Sequence, residues 1–476
     1  MPTVYSAAID LGATSGRVIL GTWSKNRLAL REVHRFPNTF RSLGVHDYWD
    51  VAGLWAEVRT GLLKAAAALP RGARLASAGV DTWGVDYALV NDAGRLVFPV
   101  HAYRDARTQS GLHRLGNTRA ALTRIYAATG IPDVFYNTSL QLEEVVANCP
   151  AITDLATRCL FLSDYFNYLL SGRMENELSI ASTSQLLDVH STDWSRLALD
   201  HFHLPVQWFT RPILAGTRLG AVRSLPELTG VQAIAVPGHD TASAYDAMPA
   251  APDGGDLFLS SGTCSLIGFE STTPLLGADA LRARIANERL GDGRYRPLTN
   301  IIGLWLLEQT MKDFATRPQD DRGWSALIAA AEELPAPAAL LDVDDPAFAN
   351  PASMRAAIDA QLRKRPAAPP RNLAGYLRLI CASLGRGHAQ ALQTFEGMTG
   401  REFRRILIVG GGSKNRLLCQ ATADAAGLPV VSFHLEGTAV GNLASQLVAL
   451  GAVKDLATFR HDLAGALKQM VYTPRE

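Results

Sequence analysis

The chain has 476 residues, enough for two or three domains with substantial cores. Hydrophobic residues make up 47% and charged residues 19%, which excludes a disordered or fibrous protein. Lys and Arg number 46 against 45 Asp and Glu, so no global field holds nucleic acid or an anionic membrane, and any anionic ligand has to be gripped locally. Five scattered cysteines, Cys149, Cys159, Cys264, Cys381 and Cys419, include no C-x-x-C pair. They argue against a disulfide framework and a zinc site, and for a reducing compartment. The opening MPTVYSAAIDLG has neither the basic nor the apolar region of a signal peptide. No run approaches the roughly 18 apolar residues of a membrane span. The expectation is a cytoplasmic protein without nucleic-acid or membrane partners.

Val4 to Asp10 reads as a strand, Gly12 to Gly16 as a turn, and Arg17 to Thr22 as the returning strand. Leu28 to Phe36 follows Lys25-Asn26 as a third strand. The spacing of apolar residues predicts a helix over 51–69, stopped by Pro70-Arg71-Gly72, and then a strand over 75–80. A strand meander before the first helix is not how a Rossmann domain begins. The second half repeats the pattern. Asp256 to Leu259, the turn Ser260-Ser261-Gly262-Thr263 and Ser265 to Phe269 form strand, turn and strand; Arg405 to Val409 then enters Gly410-Gly411-Gly412 and a helix over 415–426. This predicts a duplicated α/β domain with a cleft between the halves and a boundary near Ser243. Residues 334–370, with Pro335, Pro337, Pro366, Pro369 and Pro370, read as an irregular surface excursion.

Six segments carry candidate chemistry. Asp10-Leu11-Gly12-Ala13-Thr14-Ser15-Gly16-Arg17 puts a carboxylate at a strand end before small residues whose N–H groups can approach a phosphate. It is equally the composition of an ordinary hairpin turn. Ser260 to Thr263 is its counterpart and carries the same two readings. Gly410-Gly411-Gly412-Ser413-Lys414 removes the Cβ atoms from one wall, suiting a flat adenosine, or simply turns a strand into a helix. Its spacing matches neither the dinucleotide nor the P-loop fingerprint. Pro237-Gly238-His239-Asp240-Thr241 precedes a small-residue helix, so Asp240 is either an N-cap or a carboxylate that positions a nucleophile. Asp81 to Asp86 and Tyr103 to Thr108 mix aromatic, charged and hydroxyl groups. They suit a polyhydroxylated ligand, or a buried Trp beside a structural Arg–Asp pair. His201-Phe202-His203 reads as a surface turn.

These residues together resemble the FGGY carbohydrate kinases. The blocks are DLGATSGR (10–17), VDTWGVD (80–86), YRDART (103–108), NTSLQL (137–142), ASTSQLL (181–187), HDTAS (239–243), SSGTCSLIG (260–268), NIIGLWLL (300–307) and VGGGSKN (409–415), which span nearly the whole chain. The resemblance implies two ribonuclease-H-like α/β domains of the actin and hexokinase type around a central cleft. Residues 1–243 would bind sugar and phosphate, and 244–476 nucleotide. It implies ATP as phosphoryl donor, met by Ala13, Thr14, Ser15, Gly16, Arg17, Thr263, Glu308 and Gly411, and Mg²⁺ at Asp10. The sugar would contact Gly84, His239, Asp240, Thr241 and Asn300, with Asp240 as catalytic base. The WGVD and NIIGLW blocks point to transfer to the C1 hydroxyl of L-rhamnulose, with L-fuculose or L-xylulose as alternatives. A sugar- and ATP-binding regulator without turnover is a third reading. Two positions depart from the family pattern: Cys264 stands where Trp is usual, and Glu308 where Gln is common.

Overall fold

The three opening strands are Val4–Leu11, Ser15–Ser24 and Arg27–Pro37, each antiparallel to the next, with Asp10 opposite Arg17. Their alternating apolar residues bury Ala7, Ile9, Leu11, Val18 and Leu20 on one side of the sheet. The computed structural model describes residues 3–113, 116–251, 253–365, 367–433, 436–465 and 467–475. The first sheet continues from Val4–Leu11 into the parallel strands Ser77–Thr82 and Gln232–Ile234, and ends on Arg218–Ala221. The intervening helix Val51–Ala67 starts where Asp50 accepts from the N–H of Gly53 at 2.8 Å. It buries Val51, Leu54, Val58, Leu62 and Ala65 at helical spacing and stops short of Pro70.

The second sheet repeats this order. Tyr295–Ile302, Cys264–Gly268 and Asp256–Ser261 form an antiparallel meander that passes into parallel Arg405–Val409 and Val430–Phe433, with Gln469–Tyr472 at the edge. The internal repeat expected from two strand–turn–strand openings is present as matched topology.

Residue contacts group the chain into two units. One comprises Met1–Pro249, Ser271–Pro297 and Glu436–Ala466; the other comprises Ala250–Glu270, Leu298–Leu435 and Leu467–Glu476. In the first unit the helix Gly437–Ala449, supplied from near the end of the sequence, covers the face of the sheet opposite Val51–Ala67. Ala439 and Leu443 pack on Ala8 and Ile19. Beneath them lies a buried polar ladder. Gln446 Nε2 donates to the carbonyl of Ala7 at 3.0 Å, Ser77 Oγ donates to Gln446 Oε1 at 2.6 Å, and Asn442 Nδ2 donates to the carbonyl of Gly79 at 3.1 Å.

Three local expectations need correction. Within 334–370 a ten-residue helix, Met354–Arg363, forms because Ser353 caps it and Met354, Ile358, Gln361 and Leu362 make one buried face. Of the prolines that marked this stretch, Pro366 lies outside the described residues. The 201–203 segment is not a surface turn throughout: Phe202 is fully buried, and His201 ends the helix Arg196–His201 and bonds Asn117 at 2.8 Å. The helix predicted to follow Asp240 begins at Asp240 itself and runs to Ala247, with His239 in the cap position and no side-chain capping bond. The N-cap reading of Asp240 therefore fails on geometry. Among the described residues no helix is long and apolar enough to cross a membrane, and no disulfide links the five cysteines.

Candidate functional site

In the first unit, the ends of two neighbouring parallel strands place Asp10 beside Asp81. Arg17, opposite Asp10 on the hairpin, closes on it with Nε at 2.8 Å and Nη2 at 2.7 Å from Oδ2, and also bonds Glu436. Burial raises the Asp10 pKa, Arg17 opposes this, and nearby Asp240 and Glu436 add to the rise. Asp81 is fully buried and pushed well up, by burial first and then by Asp10. Its Oδ2 accepts from Asn442 Nδ2 at 2.6 Å, while Oδ1 has no partner among the described residues. In the sequence Asp81 stands out only as part of a mixed polar segment. Its place next to Asp10 follows from sheet register, which the sequence does not display.

The turn after Asp10 is tight. Gly12 N–H donates to the carbonyl of Ser15 at 3.0 Å, and Asn38 ties Gly12 and Thr14 from outside. Among the described residues nothing accepts from the N–H of Ala13 or Thr14, and Thr14 is exposed. Two open backbone donors beside Arg17 match what a phosphate requires.

Pro237-Gly238 delivers His239 and Asp240 to the same strand ends: Thr82 N–H donates to the carbonyl of Gly238 at 2.8 Å, and Thr82 bridges His239. The Asp240 side chain is 32% exposed, whereas that of His239 is 11% exposed. Asp240 Oδ1 accepts from Thr241 Oγ1 at 3.0 Å and lies 3.4 Å from His239 Nε2. Gly84 completes the group, since a Cβ there would stand 3.4 Å from His239 Nε2. It opens a three-residue turn in which Asp86 N–H donates to the Gly84 carbonyl at 2.9 Å. The central residue, Val85, has φ +67°, a strained conformation for a β-branched residue costing on the order of 1–3 kcal/mol. Thr138 Oγ1 donates to the Val85 carbonyl at 2.7 Å, and Val85 N–H donates to Thr183 Oγ1 at 3.2 Å, which hold it there.

The neighbouring aromatic and charged motifs turn inward. Trp49 and Trp83 donate their indole N–H groups to Asp86 Oδ2 at 2.6 and 2.8 Å, and burial lifts that carboxyl to about 6 against these bonds. Asp105 accepts from the N–H groups of Asp47 and Arg107, and Arg107 is taken up by Glu144 and Gln141. Trp83, Asp86, Asp105 and Arg107 thus bond within the chain, while Gly84 of the same stretch stands beside His239.

Behind the His239 turn, fully buried Glu177 accepts from the N–H of Gly238 at 2.8 Å and from Ser179 Oγ at 2.6 Å. Burial lifts it from 4.5 to about 7 despite those bonds. Because the folded value exceeds the unfolded one, the native state keeps the extra proton between these values, and stability falls as pH rises from about 4.5 to about 7. The loss amounts to about 3 kcal/mol and is complete above that window. Glu177→Gln should shrink the measured slope by this amount, as read from urea midpoints across the pH range. The difference should be clearest between about pH 6 and 7, above the range in which Asp86 contributes a slope of the same sign.

In the second unit the Ser260–Thr263 turn and the glycine turn lie side by side, as Ser260 pairs with Val409 in register. Gly410 (φ +84°) and Gly412 are required structurally, since a Cβ would meet Ser261 O at 2.5 Å or Ser261 Oγ at 2.1 Å. Gly411 alone faces open space and has no positive φ. The carbonyl of Thr263 accepts from Gly303 and Trp305, both at 3.1 Å, which fixes the start of the helix Trp305–Asp313 that carries half-buried Glu308. Asn300 is exposed on its strand opposite Leu266, and Cys264 is exposed next to the turn. The residues expected at the site thus fall into two sets, Asp10–Arg17, Gly84 and His239–Thr241 in one unit, and Thr263, Asn300, Glu308 and Gly411 in the other.

Models of the FGGY family of carbohydrate kinases match the chain twice, the N-terminal domain over residues 5–245 and the C-terminal domain over 257–450. The chain belongs to this family. It is similar to the rhamnulokinase of Klebsiella pneumoniae subsp. pneumoniae, 38% identical over 472 residues covering 99% of this chain and 94% of the relative. The rhamnulokinase of Bacteroides thetaiotaomicron is 36% identical over 473 residues, covering 98% and 96%. Among solved structures, the ligand-bound xylulose kinase of Lactobacillus acidophilus superposes with a TM-score of 0.79 at 14% identity, over 99% of this chain and 94% of that one. The fold is therefore that of the FGGY kinases, with two sheet-containing α/β domains of the actin and hexokinase type. As an FGGY kinase the chain is an ATP-using sugar kinase, which sets aside the regulator reading.

Proposed function

We propose that this FGGY kinase transfers the γ-phosphoryl group of ATP to the C1 hydroxyl of L-rhamnulose. The observation that carries the reading is 36–38% identity to curated rhamnulokinases along nearly the entire chain. Gly84, His239, Asp240, Thr241 and Asn300 would orient the ketose. Asp240 would take the hydroxyl proton as the oxygen bonds to phosphorus and the bond to ADP breaks; such transfer depends mainly on holding the reactants in line. The open N–H groups of Ala13 and Thr14, with Ser15, Gly16 and Arg17, would hold phosphate oxygens. Thr263, Glu308 and Gly411 would contact the nucleotide from the second unit.

Mg²⁺ fits the donor set of the first unit in a restricted sense. The Asp240 carboxylate raises the pKa values of Asp10 and Asp81, Asp10 adds to the rise at Asp81, and Arg17 opposes both, so a positive charge is favoured there. No three-residue ligand cluster is present among the described residues, and Mg²⁺ commonly uses one or two carboxylates with water and substrate phosphates. Asp10 would hold it through water, and the ion would neutralise charge on the phosphates.

A coupled ADP-release assay over a ketose panel tests the substrate. L-Rhamnulose is expected to give the highest kcat/KM, and an equal or higher value for L-fuculose or L-xylulose would overturn the assignment. For the nucleotide, Gly411→Val is expected to raise the ATP KM without lowering Tm, because the new side chain enters open space at an ordinary φ. A lowered Tm with unchanged ATP dependence would remove Gly411 from the site.

A further inference from the structure

His239 is held from behind by two residues of adjacent strands, Glu288 on Ala286–Arg289 and Arg296 on Tyr295–Ile302. Arg296 is fully buried, its guanidinium 5.5 Å over the Tyr245 ring. Its Nη2 bonds Glu288 Oε2 and stands 2.5 Å from His239 Nδ1, while Glu288 Oε2 lies 3.1 Å from the same ring nitrogen. A guanidinium donates at every nitrogen and accepts at none. A ring nitrogen at hydrogen-bond distance from it must therefore present a lone pair. Nη2 has two hydrogens, one for the carboxylate and one for the imidazole. The competing arrangement, Nδ1–H donating to Glu288 Oε2 at 3.1 Å, would set that proton against a guanidinium N–H only 2.5 Å away, so the closer contact decides for the lone pair. The imidazole proton then sits on Nε2, the atom that faces Asp240 Oδ1 at 3.4 Å.

We propose that Arg296, its charge balanced by Glu288, fixes His239 as the neutral Nε2–H tautomer, whose N–H faces Asp240 Oδ1 and positions that carboxylate. Thr241 Oγ1 and His239 Nε2 both approach Oδ1. With the Thr241 hydroxyl on Oδ1 and the His239 N–H facing the same oxygen, Oδ2 is left to receive the sugar hydroxyl proton. Arg296 and Glu288 are positioning residues acting through His239. This rests on the kinase reading of Asp240 for its catalytic consequence, but the tautomer is a property of the chain itself.

The test uses the full-length protein labelled with ¹⁵N-histidine, with His239 assigned by the signals missing in His239→Gln. Two-bond ¹H–¹⁵N correlations at about pH 8, where imidazole is ordinarily neutral, are expected to show Nε2–H. An Nδ1–H tautomer in the wild-type protein at that pH overturns the proposal, whether or not any variant folds. Arg296→Met should let Nδ1 take a proton toward Glu288 and lower kcat by about 10²-fold, as misplacement of a reacting group does. Arg296→Lys, which keeps a donor, should retain the tautomer and recover much of the rate. A Met variant that keeps the Nε2–H pattern counts against Arg296 as the cause. Should the wild-type tautomer be found and Asp240→Asn remain active, the kinase role of Asp240 fails while the tautomer assignment stands.

Discussion

Asp240→Asn is expected to lower kcat by roughly 10²–10⁴, the usual contribution of a general base, or about 3–5 kcal/mol of transition-state stabilisation. Tm should hardly change. Asp240 is the first residue of its helix, supplies no capping bond and is 32% exposed, with Oδ1 accepting a neighbouring hydroxyl that an amide oxygen can accept equally. The substitution removes a negative charge from the first helical turn, a change of about 0.3–1 kcal/mol. Sugar binding measured by calorimetry should persist. A kcat within about threefold of wild type would show that the proton leaves by another route.

Gly441→Ala is expected to be the most damaging single-methyl change in the first unit. A Cβ at this position would lie 1.7 Å from the carbonyl oxygen of Ser243 and 2.6 Å from its carbon, both backbone atoms. The helices Asp240–Ala247 and Gly437–Ala449 meet at this point without side-chain spacing. Inserting a methyl forces the two backbones apart, at a cost of about 3 kcal/mol or more. That corresponds to a Tm loss of about 6–12 °C. Because one of these helices begins with Asp240, kcat should fall as well. Gly397 offers the control: it also lies in a helix, but a Cβ there meets nothing within 4 Å. Gly397→Ala should stabilise by up to about 1 kcal/mol. Equal Tm values for the two variants would show that the helix contact can open at no cost.

The strand–turn–strand openings were legible because period-two hydrophobicity and small-residue turns are local signals. Observed strands differ from the expected ones by a residue or two, as at Leu11, Ser15 and Ser261. The sequence segments of the candidate site were visible through resemblance, and the carboxylate at Asp240 through its setting before a small-residue helix. What could not be read was proximity. Glu288 and Arg296 reach His239 from 49 and 57 residues away, and Asn442 reaches Asp81 across 361. No spacing rule encodes such pairings. Local composition also misled in two directions. Proline around 334–370 hid a capped amphipathic helix, and the polar character of Tyr103–Thr108 suggested a ligand where Asp105 and Arg107 bond to residues of the chain. The left-handed Val85 was invisible, since β-branched residues rarely adopt that conformation and surrounding hydroxyls impose it.

The helix Gly437–Ala449 has a consequence for synthesis. As the ribosome releases the chain, the strands Val4–Leu11 and Ser77–Thr82 emerge early, but the helix that covers one of their faces follows roughly two hundred residues after Pro249. At about 5–20 residues per second, that is on the order of ten seconds or more. Throughout that interval Ala8 and Ile19 lack Leu443, and the buried carboxylate of Asp81 lacks the amide of Asn442. The nascent first unit therefore waits in a half-covered state that invites chaperones and off-pathway association. Its completion is a late, all-at-once event in which the arrival of one helix both closes the apolar face and supplies the polar partners beneath it.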